Sequence, residues 1–235
     1  MMERPQIEIA DVFNKFGHLL GNQLPDHHKV MNAIKSCRTE KLGGHALKCN
    51  SCDHKKNAYN SCRNRHCPKC QFLTKVKWIE KRKEDLLPCQ YFHSVFTIPS
   101  ELRSLFLRNK KLCYSFLFKA SSETLKEVAQ SSDHLGADIG FIGVLHTWGQ
   151  NLVDHPHIHY IVPGGGLNKK KTKWIHCPKD YFLPIKVLSK IFRAKMLKLI
   201  RSAYDNNEFK IIGEIDQLSN YNIFNELVMT LASKD

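Results

Sequence analysis

Cysteine and histidine are the residues of this chain whose spacing points to chemistry. Six of its nine cysteines fall between Cys37 and Cys70. Cys49-x-x-Cys52 and Cys67-x-x-Cys70 are separated by fourteen residues. Each pair can form a knuckle whose backbone amides face the thiolates, and two knuckles together offer four sulfurs at the ~2.3 Å tetrahedral reach of Zn²⁺. Structural Zn²⁺ is therefore the expected occupant. A dithiol redox centre explains one such pair but fits two pairs in a Lys/Arg-rich segment poorly. Cys37, His45, Cys62 and His66 are further candidate ligands, either completing a second Cys/His site or lying beside the first.

The second constellation is HPHIHYIVPGGG (155–166). Side chains alternate across a strand, so His157 and His159 are expected on one face, with Ile158 pointing into a core. Two imidazoles at that spacing can grip one divalent ion and leave positions open for phosphate oxygens and water. His155 extends the period to His-x-His-x-His, a pattern that nucleotide hydrolases of the histidine-triad type also carry, without metal. His146, in LHTWGQ (145–150), is the candidate third ligand from a neighbouring strand, with Gln150 and Asp154 as weaker ones.

Composition narrows the partner. The 235 residues carry 36 Lys+Arg against 22 Asp+Glu, a net charge of +14, which points first to a polyanion, with nucleic acid foremost. Two blocks hold the excess, Lys48–Lys83 and Gly166–Arg201. Within them Arg63, Arg65, Lys69, Lys170 and Lys171 are the candidate DNA contacts. A hydrophobic content of 42% excludes wholesale disorder. No run approaches the ~20 apolar residues of a membrane span, and MMERPQIEIADVF lacks the apolar stretch of an export signal. No membrane partner is expected, and the expected setting is cytoplasmic, at the nucleoid.

These residues need elements to position them. Periodicity predicts two short helices in the first forty residues, a basic helix over 71–87 ended by Pro88, and a strand at YFHSVFTI (91–98). Helix follows from Pro99 to about Gln130, then strands at 137–148 and 157–162. Pro163-Gly164-Gly165-Gly166 is expected to break the chain, NKKKTK (168–173) to be a polar loop, and helices to form over 183–204 and 221–232. The texture changes near Pro88, giving domains at 1–88 and 89–235.

The blocks CRTEKLGGHALKCNSC, YNSCRNRHCPKCQ, YFHSVFTIPSEL, LGADIGFIGVLHTWGQNLVDHPHIHYIVPGGGL and LSKIFRAKML, in this order, closely resemble the rolling-circle transposases of the insertion sequence ninety-one family. These are two-tyrosine HUH (His-hydrophobic-His) single-strand endonucleases. The resemblance implies an α+β fold, in which an N-terminal helical zinc-binding domain precedes an HUH-nuclease-like antiparallel sheet with flanking helices. It places the family's cysteine motif on Cys49, Cys52, Cys62, Cys67 and Cys70, and its catalytic histidine pair on His157 and His159. It also implies Mg²⁺ or Mn²⁺ at the histidines and single-stranded or hairpin transposon ends as the DNA partner. In such enzymes the metal polarises the scissile phosphate and a tyrosine attacks it.

The family's tyrosines form a pair four residues apart on a helix after the histidine strand. Here that region holds Tyr160, Tyr181, Tyr204 and Tyr221, and no two have that spacing. The expectation is a transposase whose catalytic domain is incomplete at the C-terminus and lacks its nucleophile. A histidine-triad nucleotide hydrolase and a non-catalytic zinc-dependent nucleic-acid-binding protein are the alternatives.

Overall fold

A computed structural model describes residues 7–151 and 153–234. Residues 1–6, part of the stretch read for an export signal, lie outside the described residues, as do Leu152 and Asp235. The chain divides into two compact units, Met1–Leu86 and Leu87–Asp235. Among the described residues no helix is long and apolar enough to cross a membrane.

The first unit holds helices α1 (Ile9–Phe16) and α2 (Pro25–Ser36), an antiparallel hairpin of β1 (Gly44–Lys48) and β2 (Lys55–Tyr59), and helix α3 (Pro68–Glu84). Proline stands at the first position of both α2 and α3, where its missing N–H costs no hydrogen bond and its φ suits a helix. α3 therefore begins three residues before the expected helix and stops at Glu84, short of Pro88. The hairpin is not foreshadowed by the sequence. Nearly all its side chains are exposed on both faces, so no apolar alternation marks it. Among the described residues the buried core of this unit is Ile34, Cys37 and Cys67, with Ala10, Phe13, Val30, Cys62 and Cys70 packed around it. Apolar burial on that scale stabilises little.

The second unit is built on a three-stranded antiparallel sheet of β3 (Tyr91–Thr97), β4 (Ile142–Trp148) and β5 (Asp154–Pro163), with β5 in the centre. Helices α4 (Arg103–Arg108), α5 (Lys110–Gln130), α6 (Ile185–Asp205) and α7 (Tyr221–Ser233) complete it, with a small hairpin of β6 (Gly165–Leu167) and β7 (Trp174–His176). Strict alternation along β5 buries Pro156, Ile158, Tyr160 and Val162 and leaves His155, His157 and His159 half-buried on the other face. The buried face joins Phe96, Leu117, Leu125, Met196 and Phe224 in one core. Tyr160 anchors it, its hydroxyl 2.8 Å from Ser121 Oγ and its ring edge-on to Phe96 and Phe141. α6 and α7 form within a residue or two of the ranges expected from helical periodicity.

The glycine run does not break the chain as expected. β5 continues through Pro163, and the glycines permit close backbone approach: a Cβ on Gly166 would lie 2.3 Å from the Asp138 carbonyl oxygen. NKKKTK is the turn of the β6–β7 hairpin, closed where Asn168 Oδ1 accepts from the Thr172 amide at 2.9 Å and the Lys173 amide at 3.3 Å.

Gly143 on β4 pairs with Tyr160, and a Cβ there would meet Tyr160 Cε1 at 2.5 Å. Gly143→Ala should therefore overpack the sheet and cost about 1–3 kcal/mol, read as a lowered urea midpoint. An unchanged midpoint would mean that the Tyr160 ring is free to move.

Candidate metal centres

In the first unit the sulfurs of Cys37, Cys62, Cys67 and Cys70 gather within 4.8 Å of one another. Cys37 caps the C-terminus of α2, Cys62 follows β2, Cys67 is the N-cap of α3 and Cys70 lies in its first turn. Cys70 Sγ is 3.5 Å from Cys37 Sγ and 3.6 Å from Cys62 Sγ. Those separations approach the ~3.8 Å edge of a tetrahedron with ~2.3 Å Zn–S bonds. Backbone amides point at two of the sulfurs, Cys62 N–H at Cys37 and Asn64 N–H at Cys62, each at 3.5 Å. Burial opposes ionisation of Cys70, but hydrogen bonds from Cys37 and Cys62 outweigh it and bring the thiol down to about 7. Burial pushes Cys62 up to about 12. Cys70 thus ionises more readily than Cys62, whose proton a bound cation would draw off.

This grouping differs from the pairing expected from spacing, which joined Cys49 and Cys52 to Cys67 and Cys70. Cys49 and Cys52 lie in the turn of the β1–β2 hairpin, exposed, with Cys49 N–H donating to the His54 carbonyl. Cys37 and Cys62 flank its base, where Arg38 N–H reaches Asn60 O and Asn60 N–H reaches Gly43 O. Five strand residues at about 3.3 Å each separate base from tip. His45 and His66 are exposed and join neither group. His66 Nε2 accepts from Arg65 Nε at 3.2 Å.

In the second unit His146, His157 and His159 each direct a ring nitrogen to a common point, within 4.8 Å of one another. Register explains it. His146 on β4 pairs with His157 on β5, and His159 follows on the same face. His157 Nδ1 lies 2.7 Å from the His155 carbonyl, which can only accept, so Nδ1 carries the proton and Nε2 the free lone pair. His159 Nδ1 lies 2.6 Å from His93 Nε2, while its Nε2 is buried without a partner. Burial, then the neighbouring His146, His157 and His93, lower the pKa of His159, which keeps the ring neutral and able to donate a lone pair. Trp148 lies parallel to His146, with ring centroids 5.0 Å apart. Three imidazole donors with an orphaned buried nitrogen fit a divalent cation.

The other candidates are placed differently. His155 Nε2 pairs with Thr97 Oγ1 at 2.9 Å and is not one of the three converging rings, although its ring centroid lies 5.4 Å from that of His157. Asp154 is not in that group either, and Gln150 is exposed in the turn after β4. Arg63, Arg65, Lys170 and Lys171 are exposed, whereas Lys69 is paired with Glu8. His93 was not singled out by sequence reasoning. Its only signal is its place in YFHSVFTI, and the strand register that brings it to His159 joins positions 66 residues apart.

The four thiols in one unit and the three imidazoles on an antiparallel sheet in the other are two chemically distinct groups, each able to hold a metal ion. Residues 9–98 match the family described as the transposase zinc-binding domain, and residues 140–235 match the family described as putative transposase. The chain belongs to the transposases of the insertion sequence ninety-one type. It is 44% identical to the putative transposase y4qJ of Sinorhizobium fredii over 98% of its own length and 59% of that protein's. It is 32% identical to the transposase for insertion sequence element IS801 of Pseudomonas savastanoi pv. phaseolicola, over 66% of its length and 40% of that protein's. Two structures of the conjugative relaxase TrwC in complex with oriT DNA match with a TM-score of 0.37. Their identities are 11% and 10%, with 47% and 81% of this chain and 42% and 58% of the relaxase chains covered.

Proposed function

We propose that this chain carries the zinc-binding domain and the phosphate-chemistry site of a DNA transposase that cleaves and rejoins single-stranded or hairpin ends. The convergence of His146, His157 and His159 on one sheet face carries the reading. The division of labour follows the two units, with structural zinc in the first and the reaction in the second. Mg²⁺ is a hard cation that takes oxygen ligands, so of the expected pair Mn²⁺ is the better match to three imidazoles. A divalent cation held there would withdraw charge from a non-bridging oxygen of the scissile phosphate and ready the phosphorus for in-line attack.

The chain's own residues do the rest. The three imidazoles would hold the cation at the sheet face. In the second unit the exposed lysines of the β6–β7 turn, Lys169, Lys170, Lys171 and Lys173, offer charge to a phosphate backbone, as Arg63 and Arg65 do separately in the first. In the reaction a tyrosine oxygen would bond to phosphorus as the bond to the 3′ oxygen breaks, and reversal on a second strand would rejoin DNA.

Tyr160 is 1% exposed, bonded to Ser121 on the face away from the imidazoles. Tyr204 stacks on Phe224 at 3.6 Å and donates to the Ser219 carbonyl. Neither is presented as a nucleophile, and Tyr181 and Tyr221, though exposed, lack the four-residue spacing of the family's pair, so the purified chain is expected to bind DNA without forming a covalent product. The test is incubation with Mn²⁺ and labelled single-stranded DNA, followed by native and denaturing gels. A native complex that weakens steeply with salt, with no detergent-resistant adduct, is expected. A 5′-phosphotyrosyl adduct would assign the nucleophile to this chain, and no complex even at low salt would overturn the DNA reading.

A further inference from the structure

We propose that His93 is a positioning residue for the three-imidazole centre, fixing His159 in the tautomer that presents Nε2 to the cation. The inference deepens the proposed function and rests on it for the identity of the site, while its geometry is that of the side chains themselves.

His93 lies on β3, with Val95 of the same strand paired to His159 on β5, so both histidines project from the same sheet face one diagonal step apart. His93 Nε2 and His159 Nδ1 are 2.6 Å apart, the ring planes are within 7° of parallel, and the centroids are 4.9 Å apart. That centroid distance is about the nitrogen contact plus two ring radii. The rings therefore meet edge to edge along a hydrogen bond, not face to face.

One nitrogen of the pair must donate and the other accept, which leaves two arrangements of neutral rings. If His93 donates, the remaining proton of His159 sits on Nε2 and blocks coordination. If His93 accepts, His159 holds its proton on Nδ1 and Nε2 carries a lone pair. Only the second arrangement suits the buried Nε2, which has no acceptor within reach for a proton placed there. His157 follows the same logic by another route, since the His155 carbonyl takes its Nδ1 proton. Each β5 imidazole of the centre thus has an acceptor behind it, one from backbone and one from His93. Acceptors behind ligating histidines orient the ring and raise its basicity, and losing one costs about 10–100-fold in metal affinity.

The test compares His93→Phe, which keeps bulk without an acceptor, with His93→Gln, which restores a carbonyl acceptor. Two readouts are needed on the zinc-loaded full chain. ¹⁵N chemical shifts of His159 in protein without added Mn²⁺ report its tautomer, and titration with Mn²⁺ followed by electron paramagnetic resonance reports affinity. Wild type is expected to show the proton on Nδ1 of His159. His93→Phe should lose that preference and bind Mn²⁺ about 10–100-fold more weakly, and His93→Gln should recover most of both, with zinc content unchanged in each. An unaltered His159 tautomer in His93→Phe would overturn the positioning role. So would a His93→Gln variant as impaired as His93→Phe, which would make His93 a ligand. Failure of wild type to bind Mn²⁺, with the tautomer still set by His93, would instead count against the metal reading of the centre.

Discussion

Removing metal from the thiol centre should unfold the Met1–Leu86 unit and leave Leu87–Asp235 folded. The asymmetry follows from the two cores. The second unit buries Leu117, Leu125, Ile158, Tyr160, Ile200 and Phe224 to 1% exposure or less, within one continuous cluster. Among the described residues of the first unit the buried core is three side chains, two of them cysteine. Apolar burial there cannot offset the entropy of ordering α1, α2, the hairpin and α3. Structural zinc contributes about 10–16 kcal/mol of apparent binding free energy in small zinc-dependent peptides at neutral pH, which is the scale of a whole domain's stability. A strong chelator should therefore abolish hydrogen-exchange protection in the first unit and spare the second.

Substitution separates the two cysteine groups. Cys67→Ser should remove the zinc and reproduce the chelator's effect. Cys49→Ser, at the exposed hairpin turn, should leave the zinc of the four-thiol centre in place. A first unit that keeps its protection without metal, or a Cys49→Ser chain that loses this zinc, would contradict the arrangement.

The second large effect concerns the sheet. His157→Ala combined with His159→Ala leaves His146 alone on β4, and one imidazole does not hold a divalent ion against water. Mn²⁺ binding at the sheet should fall below detection. Both side chains are half-buried on the face away from the core, so shortening them opens no cavity among Ile158, Tyr160 and Val162. The melting transition of the second unit and the zinc content should stay near wild type. Loss of both metals together would mean that the two centres depend on each other.

What the sequence disclosed divides along physical lines. α6 and α7 are legible because each lays an apolar stripe at helical spacing against one core. β5 is legible because it alternates, and the same alternation that buries Ile158 puts His157 and His159 on the opposite face. The β1–β2 hairpin is not legible, because it buries neither face and depends on its neighbours and its turn. The hairpin also explains why the thiols that gather differ from the pairs that spacing suggests. Spacing reports which thiols are near in sequence, whereas the hairpin carries Cys49 and Cys52 away from Cys37 and Cys62. Strand register is the other hidden quantity. His146 faces His157, and His93 reaches His159, only once β3, β4 and β5 are aligned across long separations. No local pattern in YFHSVFTI distinguishes a positioning histidine from an exposed one.

Anomalous diffraction at the manganese edge, from crystals grown with Mn²⁺, addresses the three-imidazole centre directly. A single peak within bonding distance of nitrogens from His146, His157 and His159 is the result required. Well-ordered rings with no peak between them, or manganese held elsewhere on the sheet, would contradict it.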